Sequence, residues 1–401
     1  FVRKHDTVLC IAGGYHSASC MKTGTLVMDM FDLDQVDLNV EALTVKVGAG
    51  CKLGQIDEKL VEHGLGGVWG TNSDTGIAGL TLAGGLGWLT AMHGFGVDNM
   101  IEVEMVLPNG EFITVNDDNE YSDLMVGLRG AGVYFGVVTS FKFKVHHVGD
   151  VLGGLVVSLC PTQASAVELV DAMVKHVQAT PNTLGAMLVL PAGAPVVPQV
   201  WVDFSGKKLE ENEDLQKAVK LGGWINVKNT VDKCNFAHDV QTLTDPMTLG
   251  GDKYMGVFGL KSLPLEAVEL LVKESREHGM IKGCGGAFIV QFLKGEAYDK
   301  DFSAKSCVPF RDAIAWAVCV AEWTGYDENG LKRESCKGWV HRTKKTLQPW
   351  LLETAHAVEA DDCVRVYTKD ILTTVKTLIE KYNPDRVVRG HKKAFGIGLD
   401  D

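Results

Sequence analysis

Residues 7–11 and 24–29 are short apolar runs of strand character, and apolar and polar residues alternate along 43–48. Side chains of an extended backbone point to opposite faces in turn, so these runs predict strands. At 52–62 the apolar positions fall three and four apart, and His63-Gly64 supplies a stop, which predicts a helix. Residues 102–107 and 112–115 flank Pro108-Asn109-Gly110-Glu111 and read as a hairpin, followed by an alternating run at 137–145. Beyond about residue 146, helical spacing at 164–178, 265–278 and 368–382 mixes with strand-like runs at 199–204, 287–293 and 313–321. That order predicts an antiparallel sheet backed by helices, an α+β arrangement.

Glycine interrupts the first part of this pattern in a way that carries chemistry. Gly13-Gly14 follows the first strand and precedes Tyr15-His16-Ser17. Two residues without Cβ let a backbone turn sharply and approach a phosphate closely, although an ordinary turn with a surface histidine would look the same. The region 64–96 is dense in small residues, which suits main chain wrapped around a flat phosphorylated ligand as well as it suits close helix packing. Gly48-x-Gly50-x-x-x-Gly54 sits in a strand-turn-helix, but its last spacing and the lack of an acidic residue about 20 positions on depart from the dinucleotide fingerprint. Gly130-x-Gly132-x-x-x-Gly136 leads into a strand, so it cannot set a phosphate on a helix terminus. Both facts count against a nicotinamide-dependent dehydrogenase.

Composition narrows the class further. A chain of 401 residues suggests two or three domains, and 46% hydrophobic with 22% charged residues is ordinary for a globular protein. The net charge of −12 argues against nucleic acid as a partner. The apolar window 184–202 contains Pro191, Pro195 and Pro198, which spoils it as a membrane span. Ten cysteines lie scattered with no Cys-x-x-Cys pair, so no metal site is expected, and no Asn-x-Ser/Thr acceptor occurs. These features point to a cytoplasmic protein. Residues 1–6 read as the tail of a helix already under way, so a preceding segment is expected. Nothing in the pattern fixes an oligomeric state.

Taken in order, the motifs are Gly13-Gly14-Tyr15-His16-Ser17, Thr75-Gly76-Ile77-Ala78-Gly79 with Leu82-Ala83-Gly84-Gly85-Leu86-Gly87-Trp88, Gly94-Phe95-Gly96-Val97-Asp98-Asn99, and Arg129-Gly130-Ala131-Gly132 with Phe135-Gly136-Val137-Val138-Thr139. Their sequence resembles the FAD-linked oxidases of the vanillyl-alcohol oxidase superfamily with a PCMH-type FAD-binding domain, and most of all the berberine-bridge-enzyme-like branch. Pro309-Phe310-Arg311, Glu322-Trp323 and Lys381-Tyr382-Asn383-Pro384-Asp385 resemble later stretches of the same family. The resemblance implies an FAD-binding domain at 1–145, a substrate domain at 146–355, and a segment 356–401 that returns to the FAD domain. It implies FAD contacts from Gly13, Gly14, Tyr15, His16, Ser17, Asn72, Thr75, Gly76, Gly79 and Leu80. It implies further contacts from Gly84, Gly85, Gly87, Trp88, Asp98, Gly132, Gly136, Val137, Val138 and His391.

His16 matches the histidine bonded to the flavin 8α-methyl group in this family. A cysteine that forms a second flavin bond in many relatives is here Asn72, so a single covalent link through His16 is expected. The stretch 352–359 lacks the tyrosine that relatives use as catalytic base, leaving His356 as the candidate. The relatives' tyrosine before Gly-Leu is His93, and their Arg-x-Asn-x-Asn ending reads Arg389-Gly390-His391-Lys392-Lys393. Thr75 stands where a small branched residue admits oxygen. The function implied is an FAD-dependent oxidase that moves hydride from a small alcohol, sugar or amine to flavin N5 and electrons to O2, giving hydrogen peroxide. Two alternatives fit the same residues: an FAD-binding protein with little turnover, and a flavin dehydrogenase with another electron acceptor.

Overall fold

The computed structural model describes residues 1–401 apart from 6, 17–19, 22, 222–224, 246–251, 279–281, 354–366 and 389–401. Two large antiparallel sheets carry the architecture. The first has five strands in the order Val36–Asn39, Thr44–Gly48, Val137–Lys144, Met100–Val106 and Phe112–Asn116. Alternation puts Val45, Val47, Val103, Met105, Ile113, Val115, Phe141 and Phe143 into one core. Helix Leu53–Val61 covers it with Leu53, Ile56 and Leu60, and helix Ser122–Ala131 with Leu124, Met125 and Leu128. Helix Lys369–Tyr382, from the far end of the chain, adds Val375, Leu378 and Ile379 to the same core. Each such side chain contributes about 1.5–3 kcal/mol when fully buried, which keeps this distant helix docked. Beside the sheet, Leu9–Ala12 pairs in parallel with Leu26–Asp29.

The second sheet has eight strands. Its main path runs Asn226–Asn229, Val151–Leu159, Val196–Asp203, Leu184–Pro191, Cys284–Phe292, Ala315–Trp323 and Asp252–Leu260, with Asp232–Cys234 also paired to Val151–Leu159. On the strand Ala315–Trp323, residues Ala315, Ala317, Cys319, Ala321 and Trp323 enter a core with helices Gln163–Ala179, Leu265–His278 and Leu331–Leu347. The opposite parity leaves Trp316, Val320 and Glu322 half-buried on the other face. That face meets the glycine-rich stretch of the first domain: Val68, Trp88 and Leu89 pack with Met187, Val200 and Val202, and Leu86 packs with Phe310.

Most sequence-derived elements are present, with shifted ends. The strand-turn-helix at 44–61 does not form a parallel βαβ unit, because Thr44–Gly48 pairs antiparallel on both sides, and the dinucleotide-fingerprint reading fails on that topology. The proline-bearing window forms the strands Leu184–Pro191 and Val196–Asp203. Pairing between them ends at Gln199, so Pro198 lies beyond that ladder, although it is in register with Val157 of the strand on its other side. Helix Leu331–Leu347 went unread because charged residues separate its buried positions Cys336, Trp339, Val340, Thr343 and Leu347.

One buried ion pair ties the halves together. The Arg311 guanidinium, with its side chain 6% exposed, donates to both oxygens of Asp98, 1% exposed, and also to Ser306 Oγ at 2.9 and 3.1 Å. The Phe95 N–H donates to Asp98 Oδ2 at 2.7 Å, and the guanidinium lies 5.1 Å from the Phe95 ring centre. Truncating one partner strands a buried charge. Asp98→Ala is therefore expected to lose about 3–5 kcal/mol of stability. Urea unfolding checks this, and a loss below about 1 kcal/mol, the range of an exposed pair, would refute the buried-pair assignment.

Candidate functional site

Gly13 and Gly14 leave the strand Leu9–Ala12 and run directly against Thr75 and Gly76. A Cβ on Gly14 would stand 2.2 Å from the Gly76 nitrogen, and a Cβ on Gly76 would stand 2.5 Å from the Gly14 nitrogen and Cα. Only two bare backbones fit at this crossing. The Leu53 N–H donates to the Thr75 carbonyl and the Ile77 N–H to the Cys51 carbonyl, both at 2.9 Å, so the 71–77 loop is fixed from its other side. A Cβ on Gly79 would meet nothing within 4 Å, which marks an open cradle next to the crossing. Thr81 Oγ1 and Trp88 Nε1 are buried with no hydrogen-bond partner among the described residues. An exposed main-chain cradle with unpaired buried donors nearby fits a phosphorylated ligand.

Beyond the crossing, Tyr15 takes φ 58°, and a hydrogen bond to Asp29 raises the pKa of its hydroxyl. His16 follows, with Nε2 3.8 Å from Asp74 Oδ2. The other Asp74 oxygen accepts a hydrogen bond from Lys52 Nζ. Burial pushes the His16 imidazole below its ordinary value; Lys52 adds to this and Asp74 opposes it. The ring is accordingly neutral at pH 7. Asn72 is buried, and its Oδ1 accepts from the Asp74 N–H at 3.1 Å, shaping the loop.

The segment 241–245, far along the chain, grips the same loop. Thr244 Oγ1 donates to the Thr71 carbonyl at 2.7 Å, and the Ser73 N–H donates to Asp245 Oδ1 at 2.9 Å while its hydroxyl bonds the second oxygen. Gln241 Nε2 donates to the Gly70 carbonyl at 3.2 Å and to Asp57 Oδ2 at 2.9 Å. Trp69 Nε1 donates to Asp57 Oδ1 at 3.0 Å. No cation among the described residues faces Asp57, and burial raises its carboxyl to about 7 in spite of these two hydrogen bonds.

The remaining sequence-derived residues divide. Gly84 and Gly85 take φ 131° and 73°, and their carbonyls accept from the Val97 and Gly96 N–H groups. A Cβ on Gly87 would stand 2.2 Å from the Trp69 carbonyl oxygen. This stretch, with Trp88, forms a wall against the open face of the second sheet. Gly132 abuts Leu82 and Gly136 abuts the Val106 carbonyl, while Val137 and Val138 open a buried central strand. Leu80 is half-buried and packs on the first core. Asp98 holds Arg311, as described above. Ser17, His356 and His391 lie outside the described residues.

Sequence reasoning missed Lys52, Asp74 and Asp245 around His16, because contacts across 22 and 172 positions leave no local signal. It also gave no role to Glu322, a half-buried carboxylate on the open face beside Gly285, where a Cβ would stand 3.6 Å from Glu322 Oε1. The alternation of small residues along 315–321 could have revealed it. His93 stacks on His146 with ring centres 3.6 Å apart. His146 Nε2 bonds Asn99 Oδ1 at 2.7 Å, and burial lowers its pKa to about 4, so this ring is neutral at pH 7.

Comparison with known proteins agrees with this geometry. Residues 1–116 match the FAD binding domain family. The FAD-linked oxidoreductase pgmH of Aspergillus terreus is 33% identical over 279 residues, which is 68% of this chain and 56% of that protein; the chain thus spans little more than half of its length. The 6-hydroxy-D-nicotine oxidase of Arthrobacter nicotinovorans superposes with a TM-score of 0.84 at 18% identity, covering 96% of this chain and 86% of that one. The glucooligosaccharide oxidase of Acremonium strictum, which has a 6-S-cysteinyl, 8α-N1-histidyl FAD, superposes with a TM-score of 0.81 at 19% identity over 98% of this chain and 88% of that one. The fold is that of the PCMH-type FAD oxidases, with an FAD binding domain at its N-terminal end. The chain is thus similar in sequence to FAD-linked oxidoreductases, and it shares its fold with the BBE-like 1 protein of Physcomitrella patens, TM-score 0.83 at 20% identity over 96% of this chain and 86% of that one.

The Asp57 contact carries a pH dependence whose sign is fixed. In the folded state the carboxyl keeps its proton up to about pH 7, whereas an unfolded aspartate loses it near about 3.9. Between those values the folded state binds the extra proton, so the stability from this group falls as pH rises. Wild type is expected to lose on the order of 2 kcal/mol from this group between about pH 5 and pH 8, and Asp57→Asn to abolish that part of the slope. Chemical denaturation across the series checks it; an unchanged slope in the variant would refute the assignment.

Proposed function

We propose that this protein is an FAD-dependent oxidase acting on a small organic substrate, an alcohol, a sugar or an amine, with dioxygen as electron acceptor. The observation that carries the reading is the glycine-on-glycine crossing at 14 and 76 with His16 beside it, inside the segment that matches the FAD binding domain. Gly13, Gly14, Gly76 and Gly79 would hold FAD through main-chain groups, and the neutral His16 would bond to it covalently. The histidyl FAD of the Acremonium strictum enzyme supports that linkage. Asn72 in place of a cysteine supports one bond rather than two.

FAD held there would supply the redox chemistry, a hydride acceptor for a substrate carbon and a route for the electron pair to dioxygen. The chain's residues orient and enclose. Trp88 and the 84–87 backbone exclude water from one side, where they pack on the second sheet. Glu322, on the open face, is placed to accept a hydrogen bond from a substrate hydroxyl or amine. Thr75, half-buried at the crossing, is the small residue that admits oxygen. The proton-acceptor role assigned to His356 falls outside the described residues. In this reading 1–145 and 356–401 form the FAD domain and 146–355 the substrate domain. A cytoplasmic location accords with the free thiols of the described cysteines. No helix among the described residues is long and apolar enough to cross a membrane.

Purified protein is expected to be yellow, and its flavin fluorescence to stay with the polypeptide after acid denaturation and electrophoresis. In His16→Ala the flavin should be released on denaturation. Release from wild type would refute the covalent link, and colourless protein that binds no added FAD would refute the flavoprotein reading. Anaerobic bleaching of the flavin by a member of a sugar, alcohol and amine panel, with peroxide formed in air, is the outcome expected of an oxidase. Bleaching without peroxide would indicate a dehydrogenase, and no bleaching across the panel a binding protein.

A further inference from the structure

We propose that Asp74 is a positioning residue for the attachment of flavin to His16, and that Asp74 and Lys52 together set the pH range in which attachment runs. The proposal rests on the His16 linkage above. Three elements converge on the imidazole. Lys52 directly precedes helix Leu53–Val61, Asp74 stands in the 71–77 loop, and Asp245 comes from the second domain. Asp74 divides its carboxylate between two partners: Oδ1 receives Lys52 Nζ and Oδ2 faces His16 Nε2 at 3.8 Å.

That distance is too long for a hydrogen bond and short enough for a strong charge contact. With the Nε2 edge turned to Asp74 Oδ2, the neutral tautomer protonated on Nε2 is favoured and the lone pair lies on Nδ1; the Asp74 main chain also bonds the imidazole. The carboxylate itself is held from several directions. The Asp74 N–H donates to Asn72 Oδ1 at 3.1 Å, the preceding Ser73 is bonded twice by Asp245, and the Gly54 N–H donates to the Ser73 carbonyl at 2.9 Å.

The chemistry of attachment asks for this arrangement. A C–H bond of the flavin 8α-methyl group is replaced by a C–N bond to His16 Nδ1. The methyl proton leaves, and the electron pair of that C–H bond passes to dioxygen through the flavin as hydrogen peroxide. Bond formation at Nδ1 makes the imidazole cationic until Nε2 releases its proton. Asp74, on the Nε2 edge, stabilises that charge as it develops. Attachment also requires the neutral ring at the outset. Lys52 and burial hold the ring neutral to lower pH, while Asp74 and Asp245 act in the opposite sense.

The test uses full-length apoprotein from riboflavin-starved cells, mixed with FAD over a pH series of about 5 to 8 that spans the imidazole range. Covalent flavin is read as fluorescence retained after acid denaturation, and non-covalent binding as quenching of flavin fluorescence before it. Asp74→Asn is expected to bind FAD but to attach it about tenfold or more slowly, the scale of effect for a lost positioning contact. Its rate–pH midpoint should move down, Lys52→Met should move it up, and Asp74→Glu should recover part of the rate. A general loosening of the loop would not move the two midpoints in opposite directions. Attachment by Asp74→Asn at the wild-type rate, or midpoints that stay in place, would overturn the proposal. If Asp74→Asn fails to bind FAD, the direction of the Lys52→Met shift still decides it. Wild type that binds FAD and never attaches it would instead overturn the His16 linkage.

Discussion

Two backbones cross at Gly14 and Gly76 with no room for a Cβ on either, and the site depends on that contact. Glycine loses more chain entropy on folding than any other residue, so a pair of glycines in register needs compensation. Here it comes from the hydrogen bonds that anchor the loop to Cys51 and Leu53. The crossing fixes where the chain leaves toward His16 and where the loop delivers Asp74. A histidine two residues after one glycine and an aspartate two residues before the other are thereby brought within 3.8 Å.

The loop belongs to the first domain, yet much of its geometry is set by the second. Thr244, Asp245 and Gln241 bond to Thr71, Ser73 and Gly70, and Gln241 also bonds the buried Asp57. A loop held this way is not independent of the eight-stranded sheet's side of the molecule. Rigid support from a second layer of residues is what a site needs to hold reacting groups within fractions of an ångström. The open face of the eight-stranded sheet then supplies the opposing wall, with Trp88 packed on it and Glu322 left half-buried.

Charge is used sparingly and in defined places. Asp98 and Arg311 neutralise each other in the interior and lock the 95–99 turn to the 306–311 segment. Asp98, a cofactor contact by resemblance, has both side-chain oxygens bonded to Arg311. The Arg129-Gly130 motif has a similar explanation. Gly130 at φ 117° lets the chain kink, and a Cβ there would stand 2.6 Å from the Cys307 carbonyl carbon, while Arg129 donates to both oxygens of Asp117 at 2.7 Å. Motifs that look like ligand contacts can thus be contacts between domains.

Sequence by itself determined the local elements whose apolar residues recur with a clear period, the α+β class, and the glycine positions that let main chain approach main chain. It also singled out His16, through the order of the glycine motifs along the chain and the family they resemble, since Gly13-Gly14-Tyr15-His16 alone reads as an ordinary surface turn. Helix Leu331–Leu347 escaped because its buried stripe is diluted by charge, and the strand Leu184–Pro191 because its continuous apolar run lacks the alternation that marks a strand. Only the tertiary structure decided which partners each charged group meets. Lys52 and Asp74 lie 22 positions apart, Ser73 and Asp245 172, and Asp98 and Arg311 213. Electrostatic contact depends on distance in space, and periodicity along the chain carries no information about contacts made across such separations.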